Sequence, residues 1–272
     1  MTAWRIHHRA ETASTNLDAR AGSHGDVYTA DFQTAGRGRL DHKWLSPPGE
    51  NLMMSVVLSV EGLSPEHVAT LPLVIGLAVC RGLSPLLDVA DPSRVGLSPT
   101  LGVSRGLSPT LKWPNDVLVE GRKLAGILCE RQGDMVIVGI GVNVNQTEFP
   151  PEIAKKSTSL SFFLPSDGDC PQNDGKNDRG TVPMVRDAIL AEIDHLYGTW
   201  RENGFAAVYP QIAAIDCLKG RELSVLQTDD DTEPICGLCG GICSDGSLNV
   251  GGHPIYAGEA HVIGSFETSE KS

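Results

Sequence analysis

The chain has 272 residues, a length that typical domain sizes divide into about two folding units. Its composition, 40% hydrophobic and 21% charged, is that of a globular protein and argues against a disordered one. The formal charge of −12 disfavours a general nucleic-acid binder, because the field of the molecule repels phosphate.

Composition also indicates a protein of the cytoplasm. The longest apolar stretch, residues 71–80, is interrupted by Pro72 and Gly76 and is shorter than the roughly 20 residues that cross a bilayer. The first eight residues contain no apolar core of the kind that a signal peptide requires. The seven cysteines are an odd and scattered set, which predicts reduced thiols rather than a disulfide framework.

The amino-terminal part predicts strands separated by two helices. Thr15-Asn16-Leu17-Asp18 has the spacing of a capping box and predicts a short helix that Gly22 ends. Apolar residues recur at helical intervals over residues 67–87, which predicts a core helix. Strand-like runs cover residues 4–8, 27–32 and 51–60.

Four copies of Gly-Leu-Ser-Pro follow one another along the chain, at Gly62, Gly82, Gly96 and Gly106. These units are too short and too few to bury the core of a solenoid. Because proline recurs and charge is nearly absent, we predict a low-complexity surface connection over residues 82–110.

The segment after this connection predicts a three-strand meander, with strands over residues 116–119, 125–130 and 135–144. Residues 165–180 are almost wholly polar, glycine and proline, and predict a mobile loop.

Two helices follow this loop. Pro183 suits the first turn of a helix that ends near Gly204, and a second helix is predicted over residues 205–215. One apolar stripe defines the first helix: Val185, Ile189, Ile193, Leu196 and Trp200.

Beyond Asp216 the pattern predicts short strands alone. They cover residues 221–226, 235–242, 247–250 and 260–263, which is enough for a small barrel. We therefore expect an α/β domain over residues 1–215 and a small β-barrel domain over residues 216–272.

Three cysteines of the predicted barrel have part of the spacing of a zinc site. Cys236, Cys239 and Cys243 would need His253 as a fourth ligand. True structural sites usually have two well-spaced ligand pairs, so we favour ordinary thiols and predict no metal site.

The first chemical motif is Gln33-Thr34-Ala35-Gly36-Arg37-Gly38-Arg39, with Trp44 shortly after it. Glycines between two arginines make a mobile backbone with two forked donors, suited to closing over an anion. The motif lacks the third glycine of a dinucleotide-binding fingerprint, and the chain contains no P-loop. The alternative is a solvated turn between strands.

The second motif is Lys112-Trp113-Pro114-Asn115-Asp116, followed by Lys123 at the start of an apolar strand. Desolvation there would strengthen the attraction of the Lys123 ammonium for a carboxylate or phosphate. The alternative is a Pro-Asn-Asp turn with an exposed lysine.

The third motif is a strand with alternating glycines, Gly139 and Gly141, which ends at Asn143. Glycines inside a strand usually mark the close approach of another backbone or of a ligand. Tight packing of the sheet explains them equally well.

In this order and spacing the three motifs resemble those of the biotin protein ligases, which attach biotin to a lysine of a carrier domain. The resemblance covers almost the whole chain and includes residues 14–16, residues 157–160 and the Gly258-Glu259 pair. It implies the class II synthetase-like catalytic domain of the biotin/lipoate ligases, with a mixed sheet and flanking helices, followed by an SH3-like barrel.

The resemblance implies a role for each matching residue. Ser14, Thr15 and Asn16 would bind the ureido end of biotin, and Arg37 and Arg39 would hold the biotin carboxylate and the α-phosphate. Lys123 would contact both groups, and Asp116 would position or deprotonate the carrier lysine. The remaining implied contacts with biotin or the adenylate come from Gln33, Gly36, Gly38, Trp44, Asn115, Gly126, Ile127, Gly139, Gly141 and Asn143.

The implied substrates are biotin and Mg²⁺-bound ATP, and the implied partner is a biotin carboxyl carrier protein domain. Only thirteen residues precede Ser14, too few for a winged-helix DNA-binding domain, so a ligase without a repressor role is expected. The sequence leaves open the choice between monomer and homodimer. A lipoate ligase and a non-catalytic biotin-binding protein are the rival functions.

Overall fold

The computed structural model describes residues 2–39, 42–88, 107–164, 181–227 and 233–263. It contains a seven-stranded mixed sheet and a five-stranded antiparallel sheet. The predicted α/β class with a small carboxy-terminal β unit is confirmed.

The larger sheet has the strand order β1-β2-β3-β7-β6-β5-β4, in which β1 and β2 are parallel and the other pairs antiparallel. Its strands are β1 (Arg5–Thr12), β2 (Asp26–Gln33), β3 (Leu52–Ser59), β4 (Thr110–Lys112), β5 (Asp116–Val119), β6 (Arg122–Gln132) and β7 (Met135–Val142). The predicted strands and the predicted meander are therefore confirmed.

In the described ranges six helices accompany the sheets, together with single 3₁₀ turns at Ala19–Ala21, Leu160–Phe162 and Phe205–Ala207. The helices are α1 (Thr15–Asp18), α2 (Pro65–Ala69), α3 (Leu71–Asp88), α4 (Pro151–Ala154), α5 (Val182–Asn203) and α6 (Tyr209–Ala214). The second predicted helix is thus divided into a 3₁₀ turn and α6.

The two faces of the larger sheet have different surroundings, as the alternation of side chains along β3 shows. Met54, Val56 and Leu58 pack into the main core, where α3 and α5 cover the sheet. Ser55 points to the other face and contacts α1. That second face carries the cavity described below.

The apolar stripe predicted for helix α5 is confirmed, since all five of its residues are buried. Thr181 caps the helix with its side chain, Pro183 lies in the first turn, and Gly204 ends it with a positive φ of 79°. The sequence signals at both ends of this helix are confirmed.

The predicted surface connection over residues 82–110 is wrong at its amino-terminal end, where α3 continues to Asp88. Gly82 lies inside α3, where an added Cβ would be 3.1 Å from Ala188 of α5, so glycine permits the two helices to approach. Leu83 and Leu87 are fully buried, and this burial outweighs the interruption by Pro85. Residues 107–110 lead into β4. The middle of the predicted connection, residues 89–106, lies outside the described residues, as does the predicted loop over residues 165–180.

Pro65–Leu87 is long and apolar enough, by length and composition alone, to cross a membrane, with a mean hydropathy of 1.7 over an 18-residue window. Within the protein, 72% of that window is buried. Such burial is that of a core helix.

Strand β1 lies at the edge of the larger sheet and is exposed along most of its length. The Asp26 carboxylate accepts hydrogen bonds from the Arg5 guanidinium, from His7 and from the Ser23 amide. Burial alone would raise the pKa of Asp26, but these hydrogen bonds lower it to about 2. Asp26 therefore holds β1 on β2.

The smaller sheet has the order β11-β10-β9-β8-β12. Its strands are β8 (Glu222–Leu226), β9 (Ile235–Ile242), β10 (Leu248–Val250), β11 (His253–Ile255) and β12 (Glu259–Val262). Strand β11 was not predicted, because its three residues include a proline that removes a backbone donor. The proposed division of the chain into domains at residue 215 stays a prediction.

Two contacts join the sheets. Leu111 of β4 exchanges backbone hydrogen bonds with Ile215 and Cys217, and the buried Trp113 donates its indole N–H to the Gly246 carbonyl at 3.1 Å. The two sheets share one hydrophobic core.

Candidate active site

A cavity of about 1450 Å³ opens on the second face of the larger sheet. Its wall contains ten lysines and arginines and five aspartates and glutamates. The wall is therefore positive within a chain whose formal charge is −12. Such a cavity attracts anionic ligands, whereas the acidic remainder of the surface repels them.

Lys123 and Asp116 form an ion pair in this wall, with Nζ 2.7 Å from Oδ1. They lie on neighbouring strands, because β5 and β6 form a hairpin whose two turn residues, Glu120 and Gly121, both have positive φ. The backbone of Lys123 is fixed by Lys156 O and by the Thr158 amide. The ammonium group is partly exposed to the cavity, where an anionic ligand can replace the carboxylate.

Asn143 stabilises this arrangement from the end of β7. Its Nδ2 donates to the Thr158 carbonyl at 2.9 Å, so the buried segment 157–159 is fastened beside Lys123. The structure thus assigns Asn143 a supporting contact behind the lysine.

The Gly-Arg-Gly-Arg loop folds back on itself at the entrance to the cavity. Gly36 accepts a backbone hydrogen bond from Trp44, and an added Cβ on Gly36 would lie 2.4 Å from the Trp44 carbonyl oxygen. Glycine is therefore required at Gly36 because the backbone of Trp44 approaches so closely.

Arg39 is the more buried arginine of the loop. Its Nη1 lies 3.4 Å from Asn115 Oδ1 and 3.3 Å from the Gly258 carbonyl, so it connects the loop to the end of the smaller sheet. Burial lowers the pKa of Arg39, and the carboxylates of Asp116 and Glu259 partly oppose that effect. A guanidinium remains charged in proteins, so this desolvated cation favours an anionic ligand.

Behind Arg39 lies the thiol of Cys129. Burial raises the pKa of Cys129 to about 12, which keeps the thiol protonated and unsuited to nucleophilic attack.

The Ser14, Thr15 and Asn16 side chains form the opposite end of the cavity, and all three residues are buried. The Thr15 amide donates to Gln33 Oε1 at 2.7 Å, and Ser55 Oγ lies 2.6 Å from Asn16 Oδ1. The predicted capping box is wrong in detail, because Ser14 occupies the cap position without a side-chain cap bond and Thr15 begins the helix. These polar groups are directed at one another and at the cavity instead.

Three glycines on β6 and β7, which have no side chains, line the floor of the cavity. An added Cβ would lie 2.4 Å from Asn16 Oδ1 at Gly139 and 2.4 Å from the Trp44 indole at Gly141. Gly126 lies under the same indole and beside Lys123. The groups that approach these glycines are side chains of the site, whereas another backbone or a ligand was predicted.

The Trp44 ring crosses this floor, with Lys123 Nζ 5.9 Å from its centroid. The indole Nε1 is buried and has no acceptor among the described residues. An unpaired buried donor costs about 1–3 kcal/mol, so an oxygen of a bound ligand would stabilise it.

The structure brings almost every residue of the predicted site to one cavity. Gly36 is the exception, because it supports the loop from behind and does not line the wall. The predicted residues that do line it are Ser14, Thr15, Asn16, Gln33, Arg37, Gly38, Arg39, Trp44, Asn115, Asp116, Lys123, Gly126, Ile127, Gly139, Gly141 and Asn143.

These residues lie within the part of the chain that matches a known family. The match is to the biotin/lipoate A/B protein ligase family and covers residues 7–145, about half of the chain. The chain belongs to this family.

One relative of this chain is the biotin-(acetyl-CoA-carboxylase) ligase of Mycobacterium tuberculosis. The two are 40% identical over 157 residues, which cover 56% of this chain and 53% of the relative. The bifunctional ligase/repressor BirA of Escherichia coli is 29% identical over 230 residues, 82% of this chain and 61% of BirA. The chain therefore spans little more than half the length of these curated relatives.

Among solved structures, the biotin protein ligase of Aquifex aeolicus in complex with biotin and ATP is similar over most of both chains. The TM-score is 0.73 at 28% identity, and the alignment covers 96% of this chain and 99% of that chain.

Two polar residues that contact the wall of the cavity from behind were not predicted. Ser55 lies within an otherwise apolar strand, and Glu130 follows the apolar part of β6. A polar residue inside a buried strand is a usable sequence signal. Their partners, Asn16 and Arg37, are distant in sequence and could not be found from it.

The cysteines of the smaller sheet differ in exposure, with Cys239 buried, Cys243 half-buried and Cys236 exposed. Within the described ranges no group of three or more histidines, cysteines, aspartates and glutamates is arranged to hold a metal ion. Six cysteines are described there, and each is a free thiol.

Proposed function

We propose that this member of the family is an ATP-dependent biotin ligase. It converts biotin to biotinyl-5′-AMP and transfers biotin to a lysine of a biotin carboxyl carrier protein domain. The observation that carries the proposal is the meeting of Arg37, Arg39 and Lys123 with the Ser14-Thr15-Asn16 group in one positive cavity. The Aquifex aeolicus structure, determined with biotin and ATP, supports it.

The polar end of the cavity suits the ureido group of biotin. A urea presents two N–H donors and one carbonyl acceptor, and the hydroxyl and amide groups of Ser14, Thr15, Asn16 and Gln33 offer both kinds of partner. Gly139 and Gly141 let the Asn16 side chain and the Trp44 indole lie directly against β7, so both side chains contribute to the cavity wall between this end and Lys123.

Adenylation requires two anions to meet. The biotin carboxylate attacks the α-phosphorus of ATP, the bond to the β-phosphate breaks, and pyrophosphate leaves. Arg39, which is desolvated, and Lys123 would lower the repulsion and stabilise the charge that develops on the phosphate oxygens.

The carboxylates of the wall are compatible with the Mg²⁺ that accompanies ATP. Asp116 and Glu259 both act on Arg39 and so lie in the same part of the cavity. With one or two protein carboxylates the remaining ligands of Mg²⁺ would be phosphate oxygens and water. Bound Mg²⁺ would neutralise phosphate charge.

Transfer requires the carrier lysine to lose a proton before it attacks the acyl carbon. Asp116 is the candidate acceptor, but its carboxylate is paired with Lys123 at 2.7 Å. We infer that Lys123 turns to the adenylate when it forms, which frees Asp116 for the incoming amine.

Protection of the adenylate from water is the expected function of the loop residues 36–39 and 42–44. Arg39 contacts the Gly258 carbonyl, and His42 pairs with Glu259 at 3.7 Å. The loop and the smaller sheet thus meet across the cavity entrance, where closure would exclude water from the mixed anhydride.

The proposed partner is the carrier domain of a biotin-dependent carboxylase, and the proposed compartment is the cytoplasm. Both rest on the similarity to ligases of acetyl-CoA carboxylase.

The test is exchange of labelled pyrophosphate into ATP, with biotin, lipoate and octanoate compared in parallel. We expect exchange with biotin alone. Exchange with lipoate or octanoate would move the assignment to a lipoate ligase. Folded protein that supports exchange with none of these acids would indicate a binding protein. A second assay, mass spectrometry of a carrier domain after incubation, then detects transfer.

A further inference from the structure

We propose that Glu130 is a positioning residue that joins the biotin end of the site to the arginine loop. This inference rests on the proposed function. Glu130 lies on β6 opposite Ile137 of β7, beyond the part of β6 that pairs with β5. Its carboxylate contacts two segments that are far apart in sequence.

One carboxylate oxygen binds the biotin end. Asn16 Nδ2 donates to Glu130 Oε2 at 2.6 Å, and Asn16 is only 4% exposed. A carboxylate can only accept, so this bond fixes which end of the Asn16 amide is the nitrogen. The Asn16 oxygen then accepts from Ser55 Oγ at 2.6 Å.

The other carboxylate oxygen binds the loop. Arg37 Nη1 lies 3.0 Å from Glu130 Oε1, and Arg20 is more distant at 4.0 Å. Arg37 is nearly half exposed, whereas Glu130 is mostly covered. The rigid sheet therefore holds the mobile arginine, and not the reverse.

The contacts of Glu130 continue around the base of the loop. From Asn16 they pass through Ser55 Oγ to Thr15 Oγ1, 2.7 Å away, and from Thr15 to Gln33 Oε1. Gln33 precedes the first glycine of the loop by three residues, and Arg37 lies within the loop. A change at the Asn16 end is thus connected to both ends of the segment 33–37.

Two substitutions of Glu130 separate its two contacts. Glu130→Gln keeps an oxygen that accepts from Asn16 but removes the charge that holds Arg37. Glu130→Ala removes both. Glu61→Gln, at an exposed position away from the cavity, is the matched control.

We measure the KM for biotin in pyrophosphate exchange and the rate at which adenylate leaves the enzyme. For Glu130→Gln we expect a KM for biotin close to that of the wild type and an adenylate loss about threefold faster, as a half-exposed ion pair allows. For Glu130→Ala we expect the KM for biotin to rise in addition by about tenfold, because a buried amide loses its partner.

A purely structural role is distinguished by combining each variant with Arg37→Ala and by recording thermal unfolding. With Arg37 absent, Glu130→Gln should no longer alter the rate of adenylate loss. The inference is overturned if Glu130→Gln releases adenylate at the wild-type or a slower rate, or if its effect persists unchanged without Arg37. The inference is also overturned if the KM for biotin and the rate of adenylate loss change equally and only in variants whose melting temperature is lower.

The outcome also separates this inference from the proposed function. If the wild type exchanges pyrophosphate and the Glu130 variants behave as the wild type does, the positioning assignment alone is wrong. If the wild type supports no exchange with biotin, the proposed function is wrong and the assignment is wrong with it.

Discussion

Gly139→Ala perturbs the site without removing any polar group. The new methyl would lie 2.4 Å from Asn16 Oδ1, 3.1 Å from its Cγ and 3.2 Å from its Nδ2. An ordinary contact requires about 1 Å more, so the Asn16 amide must move. The central position of β7, paired on both sides with β3 and β6, prevents the backbone from moving in its place.

The magnitude follows from the two bonds that hold Asn16. Its bonds to Glu130 and Ser55 are both 2.6 Å long, and a displacement of about 1 Å would lengthen them beyond hydrogen-bond distance. Losing two such bonds costs about 1–3 kcal/mol, the range that overpacking of a core also gives. We expect that loss in the free energy of unfolding and a KM for biotin raised by about tenfold or more.

The assays are chemical denaturation and biotin-dependent pyrophosphate exchange with ATP held saturating. Gly198→Ala is the matched control, since its methyl meets no atom within 4 Å on α5, and it should stabilise the protein by about 0.5–1 kcal/mol. A Gly139→Ala protein with the stability and the biotin KM of the wild type would show that the methyl does not displace Asn16.

Three further substitutions test other parts of the structure. Lys123→Ala should lower the rate of adenylate formation by about 100-fold or more, because a cation is lost where charge develops. Single-turnover assays with labelled ATP measure this rate, and a normal rate would remove Lys123 from the mechanism. Arg39→Ala should accelerate adenylate loss by about tenfold, measured by gel filtration, and retention as in the wild type would contradict its assignment. Asp26→Asn should lower the free energy of unfolding by about 1–2 kcal/mol at pH 7, allowing for the exposed partners of the carboxylate. Because the folded-state pKa of Asp26 is about 2 and the usual value is 3.8, this difference should persist above about pH 4 and disappear as the pH falls to 2, which denaturation at several pH values checks.

Elements whose signals are local could be predicted from the sequence. The α5 stripe, its proline near the start and Gly204 at its end are all short-range features, and they placed the helix correctly. The glycines of β7 could also be interpreted, because a glycine inside a strand indicates close approach whatever the partner is.

Features that depend on distant residues could not be predicted. Gly82 and Pro85 resemble a loop by composition, but α5 provides the packing that keeps them in α3. In the same way Glu130 acquires its function from Asn16, 114 residues away. The lysine and arginine motifs were found because each is contiguous, whereas the contacts that hold them join separate segments.

The most direct test of the central claim is whether the cavity forms and retains one adenylate. Protein incubated with biotin, Mg²⁺ and ATP labelled at the α-phosphate is passed through a desalting column, and the label that remains bound is counted. We predict close to one label per chain, dependent on biotin and absent from Lys123→Ala. Folded wild-type protein that retains no biotin-dependent label, and exchanges no pyrophosphate, would contradict the account.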